Sequence, residues 1–508
     1  LEFRPKDSLL SGPSGGVVGA VRAGRLAGFS RIISFDMGGT STDVARYDDK
    51  YEYVFEHHVA GAHIVAPALS IETVAAGGGS ICGFHSGRLK VGPESAGAIP
   101  GPACYGAGGP LTLTDVNLLL GRLKKERFGI PISQSSAENR LNELLEIIKK
   151  ETKTTPSKEE ILEGFISIAE ERMANTVRRV SLESGYDPKE YVLVAFGGAG
   201  GQHACGVAQL LGIKTVVIPE DAGLLSALGI GHARIERFVE MQVIQDLSIV
   251  GDRLLQFFEE LAQKAHSKIL KEGISDSVVS RQVVQLRFFG QDQPLSLDWE
   301  ADLETAFTSR YQQLYGHIPE VKKIEVVSIR VVVSSVVVEN SNNDSSCQDR
   351  KTVDVNEVSE MWIQDKWLKA SIYDRSETQV GATIAGPALV FEYYSATFIP
   401  NDWNGSINDS GSLILNHNVN LLSDYSKKHS SIRLELFVNS FTNIAKEMGT
   451  LLQRTAISTN VKERLDFSCA LLDRHGNLIV NAPHIPVHLG ALGLCVRSVM
   501  DVLKMRPG

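Results

Sequence analysis

Residues Ser34–Asp43, SFDMGGTSTD, carry the reading that decides the fold of this 508-residue chain. The apolar run Arg31–Phe35 that leads into them has strand character, and Asp43–Tyr47 continues as a second strand after the bend. Glycines at such a bend let the backbone turn tightly and approach a ligand. Exposed N–H groups and hydroxyls suit phosphate oxygens, and carboxylates suit Mg²⁺ or a reacting water. On that pattern Gly38, Gly39, Thr40 and Thr42 are candidate phosphate contacts. Asp36 is placed for a metal ion or a water on it, and Asp43 lies across the turn. A plain Gly-Gly hairpin decorated with Ser and Thr has the same signature, so the loop alone leaves both readings open.

A second glycine loop weighs against the plain hairpin. Tyr191–Phe196 (YVLVAF) reads as a buried strand, Gly197–Gly201 (GGAGG) as a loop, His203–Leu211 as a helix and Thr215–Ile218 as the next strand. Strand, Gly loop, helix and strand in that order are typical of α/β nucleotide folds. Gly197, Gly198, Gly200 and Gly201 would let a nucleotide lie against the backbone. His203 is either a substrate contact or an ordinary side chain at a helix start. Ser157-Lys-Glu-Glu160 is a capping box that opens a helix to about Ser184, with Ile161, Phe165, Ile168, Ala169, Met173 and Val177 on one face. Ser80–Phe84 and Arg88–Val91 form a hairpin on Ser86-Gly87. Glu94 falls in a Gly/Pro-rich loop, VGPESAGAIPGPACYG, as a site carboxylate or a surface one. Cys104 and Cys205 read as packed rather than nucleophilic.

Length alone predicts two to four domains. The composition, 43% hydrophobic and 22% charged, is that of a globular protein with real cores. The net charge of −9 and the lack of a Lys/Arg block disfavour nucleic-acid binding. Six scattered cysteines form no CxxC pair, which fits reduced thiols in a cytoplasmic protein. No apolar run is long enough to span a bilayer, and LEFRPKDSLLSGPSGG has no signal-peptide core. Residues 1–240 read as one Gly-rich α/β domain and 241–427 as an α+β domain. In the latter, Asp252–Lys271 is helical, and Val283–Phe289 and Val321–Val338 are strand-like. Asn340–Ser346 is a polar loop and Tyr425–Ser431 a linker, after which residues 428–508 open a third unit with the helix Arg433–Arg454.

The two glycine loops together resemble the ATPase fold shared by actin and hexokinase, in which each of two lobes carries a phosphate loop. Only one DxGGT is present, so the chain reads as starting at the second lobe, as an internal fragment. The resemblance then becomes specific. Ser11-Gly-Pro-Ser-Gly-Gly16, DMGGTSTD, Thr73-Val-Ala-Ala-Gly-Gly-Gly-Ser80, Val91-Gly-Pro-Glu-Ser-Ala-Gly97, Gly101-Pro-Ala-Cys-Tyr105, FGGAGGQHA and Ala222-Gly-Leu-Leu-Ser-Ala-Leu-Gly229 look like the hydantoinase A/oxoprolinase family, in that family's order. Gln453–Asn460, Lys462–Ser468 and Asn481–Gly490 look like the opening of a hydantoinase B domain.

The resemblance implies an enzyme that couples ATP hydrolysis, with Mg²⁺, to opening of a cyclic amide. The first expectation is 5-oxo-L-proline to L-glutamate through a phosphorylated lactam. It implies a kinase-like site in which Asp36, Asp43 and Glu94 are catalytic, and a small-molecule substrate as partner. It also implies a homo-oligomeric full-length protein, with neither nucleic acid nor membrane. In the B-like part, Asp466, His484 and His488 are candidate ligands of a second divalent metal, although Pro486 argues against a simple helical HxxxH face. Alternatives are an ATP-dependent hydantoinase, a ketone carboxylase subunit, a sugar or acetate kinase, or a non-catalytic nucleotide-binding fragment.

Overall fold

A computed structural model gives the fold. It describes the chain apart from residues 1–10, 60–61, 183–185, 292–293, 316–317, 319–322, 337–354, 356, 419–429, 457, 483–488 and 504–508. The chain divides into two compact units, residues 2–233 with 343–439, and residues 234–342 with 440–508.

The first unit is built on an eight-stranded sheet. Helix α1 (Ser11–Leu26) precedes β1 (Arg31–Met37), which turns through the Gly-Gly bend into antiparallel β2 (Thr42–Asp48). A hairpin, β3 (Tyr53–Val59) and β4 (Ala62–Leu69), leads to β5 (Glu72–Val74), which pairs with β2. A second hairpin, β6 (Ser80–His85) and β7 (Arg88–Ser95), turns on Ser86 and Gly87, both with positive φ. Helices α2 (Leu113–Leu119), α3 (Gln134–Thr152) and α4 (Lys158–Leu182) follow. Ser157 Oγ accepts the Glu160 N–H at the start of α4. The six apolar positions expected on one face of α4 are all buried.

Strands β8 (Val192–Phe196) and β9 (Thr215–Ile218) run parallel to β1, joined by α5 (Gly200–Leu211), and α6 (Leu225–His232) comes next. All five residues of β8 are buried, which is why YVLVAF is a continuous apolar run: the strand is covered on both faces. The order β5-β2-β1-β8-β9 is an antiparallel meander continued by parallel strands.

The second unit begins with β10 (Glu236–Asp246), α7 (Leu247–Val250) and α8 (Leu254–Leu270). It continues through β11 (Ser277–Phe288), β12 (Leu295–Asp298), α9 (Leu303–Tyr315) and β13 (Ile324–Ser335). The four strands form an antiparallel sheet in the order β10-β13-β11-β12. Leu254, Phe258, Leu261, Ala265 and Ile269, at helical spacing on α8, pack with Phe307 and Tyr311 of α9 against alternate residues of the strands.

Within the span 241–427, the part from β14 (Glu357–Ile363) falls in the first compact unit, which takes in residues 343–439. Strands β14, β15 (Lys366–Asp374), β17 (Ala388–Phe391) and β18 (Ala396–Ile399) form a small sheet. Strands β16 (Thr383–Ala385), β19 (Trp403–Ile407) and β20 (Leu413–His417) extend the eight-stranded sheet, with β20 pairing on β9. Alternating apolar residues announce strands without saying which sheet they join, and these pairings span some two hundred residues of sequence. The Asn340–Ser346 loop and most of the Tyr425–Ser431 linker lie outside the described residues.

The last segment holds α10 (Ser430–Thr455), α11 (Thr459–Arg464), β21 (Ala470–Leu472), β22 (Leu478–Asn481) and α12 (Leu489–Val502). Ala445, Phe467, Cys469, Val480 and Ala482 make a small buried cluster, while Phe437, Ile444, Met448, Leu451 and Leu452 of α10 are exposed.

Candidate active site

The site forms where β1 and β8 end side by side. Asp36 is in register with Phe196 on one side and opposite Asp43 on the other. Directly opposed residues of an antiparallel pair put their side chains on the same face, so the two carboxylates share one side of the loop. Burial is the main cause that pushes the Asp36 carboxyl up, to about 6. The Ser226 hydroxyl, donating to Oδ2 at 3.1 Å, works against that shift, and Asp43 adds to it by like-charge repulsion. Asp43 itself accepts the Thr73 hydroxyl at 2.5 Å.

Two further loops close around the bend. The Gly78 and Gly79 N–H groups donate to the carbonyls of Gly38 and Gly39 at 3.0 and 2.6 Å. A Cβ on Gly77 would lie 2.7 Å from the backbone of Gly39 and Thr40, so TVAAGGGS can back the loop only with glycine there. From the other side, Gly197 has φ +81°, and a Cβ on it would meet Asp36 Oδ1 and the Met37 carbonyl at 2.5 Å. The Ala199 N–H donates to the Met37 carbonyl and the Gly197 N–H to the Ala222 carbonyl. The outer surface of the bend stays open. Gly39 and Thr40 are exposed, a Cβ on Gly38 or Gly39 would meet nothing within 4 Å, and among the described residues the Gly39 and Thr40 N–H groups have no acceptor.

The expected residues divide into groups. Asp36, Gly38, Gly39, Thr40, Asp43, Gly197 and Gly198 come together at this edge. Thr42 is fully buried and its hydroxyl donates to the Ala76 carbonyl at 2.6 Å, so that side chain holds loop to loop. Helix α5 starts three residues earlier than expected: Gly200 and Gly201 form its first turn and are buried, Gly201 against Thr397 and Ala396. His203 is therefore inside the helix rather than at its mouth. Its ring is enclosed, with Nδ1 3.3 Å from Glu170 and Nε2 3.1 Å from the Asn117 amide. Glu94 is exposed at the end of strand β7, not in a loop. Cys104 and Cys205 are buried, and burial pushes both thiols up. In the last segment Asp466 is exposed; His484 and His488 lie outside the described residues.

Sequence reasoning assigned no role to Ser226, Gly16 or Gly77–Gly79. Ser226 holds Asp36, and a Cβ on Gly16 would sit 3.1 Å from Asp36 Oδ2. The signal was present, since AGLLSALG, SGPSGG and TVAAGGGS stand out as motifs, but only the fold brings them to one carboxylate. Among the described residues no three Asp, Glu, His or Cys side chains converge. The donor set thus fits an ion held by one carboxylate with phosphate oxygens and water, the usual manner of Mg²⁺, rather than an all-protein cage. No described helix is long and apolar enough to cross a membrane.

The chain matches the hydantoinase/oxoprolinase family over residues 1–238, the hydantoinase/oxoprolinase C-terminal domain over 244–414 and hydantoinase B/oxoprolinase over 430–508. It is 36% identical, over its whole length, to 5-oxoprolinase PfmaA of Pestalotiopsis fici and to the 5-oxoprolinase of Saccharomyces cerevisiae. It spans 42% of the length of each of these relatives. The crystal structure of the ATP-dependent caprolactamase from Pseudomonas jessenii superposes with a TM-score of 0.72 at 27% identity, over 80% of this chain and 62% of that one. Three successive family matches and a shared fold lead to one conclusion: the chain belongs to the hydantoinase/oxoprolinase family.

Proposed function

We propose that the protein is an ATP-dependent hydrolase of a cyclic amide, with 5-oxo-L-proline as substrate and L-glutamate as product. The observation that carries this reading is the open bend. Gly39 and Thr40, exposed residues whose N–H groups have no acceptor among the described residues, stand beside the half-buried Asp36, an arrangement suited to phosphate. The relatives named 5-oxoprolinase support the substrate, and likeness to a caprolactamase supports the wider class of lactams.

An amide is a poor electrophile, because resonance weakens its carbonyl. In the proposed reaction the lactam oxygen takes the γ-phosphoryl group of ATP and ADP leaves. Water then adds to the ring carbon, the C–N bond breaks as nitrogen takes a proton to leave an acyl phosphate, and a second water releases phosphate and the free carboxylate. Mg²⁺, when bound, would neutralise charge on the phosphates. The chain's own part is positioning. The bend of Gly38, Gly39 and Thr40 receives phosphate oxygens, and Asp36 holds the ion or its water. Asp43 orients the water or nucleophile, and Gly197 and Gly198 admit the nucleotide. Thr42, Gly200, Gly201 and His203 act from behind the surface, and Glu94 offers an exposed carboxylate. In this reading the protein is cytoplasmic and the full-length protein homo-oligomeric, with a second divalent metal in the 428–508 part held by Asp466, His484 and His488.

The test is ATP hydrolysis by the full-length protein with 5-oxoproline, hydantoin and caprolactam in parallel. Stimulation by 5-oxoproline with release of glutamate is the expected result. Turnover coupled to hydantoin or caprolactam alone would overturn the substrate, and no lactam-dependent turnover would overturn the class.

A further inference from the structure

The first unit carries a second polar cavity that shares no residue with the Asp36 site. It has a volume of about 420 Å³ and is lined by Arg22, Glu220, Arg375, Thr378, Asp409 and Ser410, with Leu26, Val380 and Ile407 as apolar wall. Its central feature is Arg375, nine-tenths buried, in the short 3₁₀ turn after β15. Arg375 Nη2 donates to the Gly411 carbonyl and Nε lies 3.7 Å from Glu392, yet Nη1 is buried without a hydrogen-bond partner among the described residues. A buried guanidinium N–H left unpaired costs several times what an exposed one does. An acceptor in the cavity would satisfy it, and a carboxylate suits the guanidinium fork best.

The other charges narrow the ligand. Arg22 gives the cavity a second cation, and Glu220 and Asp409 give it two carboxylates. Two acids in the wall repel a phosphate dianion, while a purely cationic ligand would leave Arg375 Nη1 without an acceptor. A zwitterion satisfies both signs, with its carboxylate on Arg375 and its ammonium on Glu220 or Asp409. The hydroxyls of Thr378 and Ser410 add polar contacts, and the volume admits a side chain of a few carbons. We propose that this cavity is a binding site for a free α-amino acid. Glu220 also lies in the β9–α6 connection, whose Ala222 carbonyl accepts the Gly197 N–H and which leads into α6, where Ser226 holds Asp36. An amino acid held by Glu220 would therefore touch the segment that leads to the support of the Asp36 carboxylate.

Calorimetric titration of the 508-residue chain with L-glutamate, L-alanine, glutarate and inorganic phosphate tests the site. The expected result is binding of at least one amino acid, with phosphate not competing. Arg375→Gln is expected to weaken that binding at least tenfold, and Glu220→Gln to weaken the amino acid while sparing glutarate. Because Arg375 is buried, Arg22→Gln on the exposed face of α1 serves as the second variant, expected to weaken binding severalfold with an unchanged thermal unfolding curve. Three outcomes would overturn the proposal: no binding of either amino acid, glutarate or phosphate binding as tightly as the amino acids, or full affinity in both arginine variants. The first would make the cavity a water-filled space only.

Discussion

Gly38-Gly39 and Gly200-Gly201 look alike in sequence and differ in what occupies the space a side chain would take. A Cβ on either glycine of the first pair would point into open space. A Cβ on Gly201 would sit 2.5 Å from the Thr397 hydroxyl and 2.8 Å from the Ala396 carbonyl. One pair leaves its surface clear; in the other, Gly201 lets β18 of the small sheet lie against helix α5. Gly197, in the same five-residue run as the packed pair, belongs with neither, since its missing side chain makes room for Asp36 itself. A glycine-rich loop is therefore no single kind of feature, and each glycine has to be asked what stands beside it.

The comparison breaks most visibly at the carboxylate between the loops. Asp36→Asn keeps the shape and removes the charge, so it is expected to lower ATP-coupled turnover of the full-length protein by about 10³-fold, roughly 4 kcal/mol of transition-state stabilisation. Steady-state ATP hydrolysis measures this, and turnover within tenfold of the unchanged protein would remove Asp36 from the proposed machinery.

The packed pair comes next. Gly201→Val forces a branched side chain into contact with Thr397 and the Ala396 carbonyl, and is expected to cost about 3 kcal/mol of stability. Urea unfolding of the first unit reads this directly. A variant that unfolds at the unchanged midpoint would show that β18 is not held against α5.

A third effect belongs to Asp36 again and has the opposite sign. Its folded carboxyl titrates near 6 against an ordinary 3.8, so between about pH 4 and 6 the folded chain keeps a proton that the unfolded chain releases. Stability then falls as pH rises through that window, by about 2–3 kcal/mol in all for a shift of roughly two units. Asp36→Asn is expected to flatten this part of the profile and to be more stable than the unchanged chain at pH 7.5. Unfolding midpoints of both proteins at pH 4.5, 6 and 7.5 make the comparison, and parallel profiles would contradict the assignment. Loss of turnover with a gain in stability is the signature of a charge kept against the preference of the fold.

How much of this was legible in the sequence follows from which forces are local. The bend, both β1–β2 strands, the β6–β7 hairpin and the buried face of α4 were legible because turn chemistry and apolar period act over a few residues. The return of β16, β19 and β20 to the first sheet was not, since a strand's alternation is the same whichever sheet it joins. The start of α5 was misplaced because Gly200 and Gly201 read as loop by propensity, whereas both lie in the first helical turn, Gly201 packed against β18. Ser226 was out of reach for a similar reason, as nothing in AGLLSALG says that its hydroxyl meets a carboxylate 190 residues earlier.

The smallest effect is the sharpest test of the open pair. Gly39→Ala adds one methyl group to a place where no protein atom lies within 4 Å, and the φ of Gly39 is not in the positive region that would penalise alanine. Folding should hardly register it, with a change within about 0.5 kcal/mol. A phosphate resting on the Gly39 and Thr40 N–H groups would meet that methyl, so Mg-ATP affinity is expected to fall about tenfold, near 1.4 kcal/mol. Calorimetry with Mg-ATP and a thermal unfolding curve on the same sample separate the two. If affinity is unchanged, the nucleotide does not approach the bend and the open surface has another use. If stability falls instead, the space beside Gly39 is filled by the chain and the contrast with Gly201 disappears.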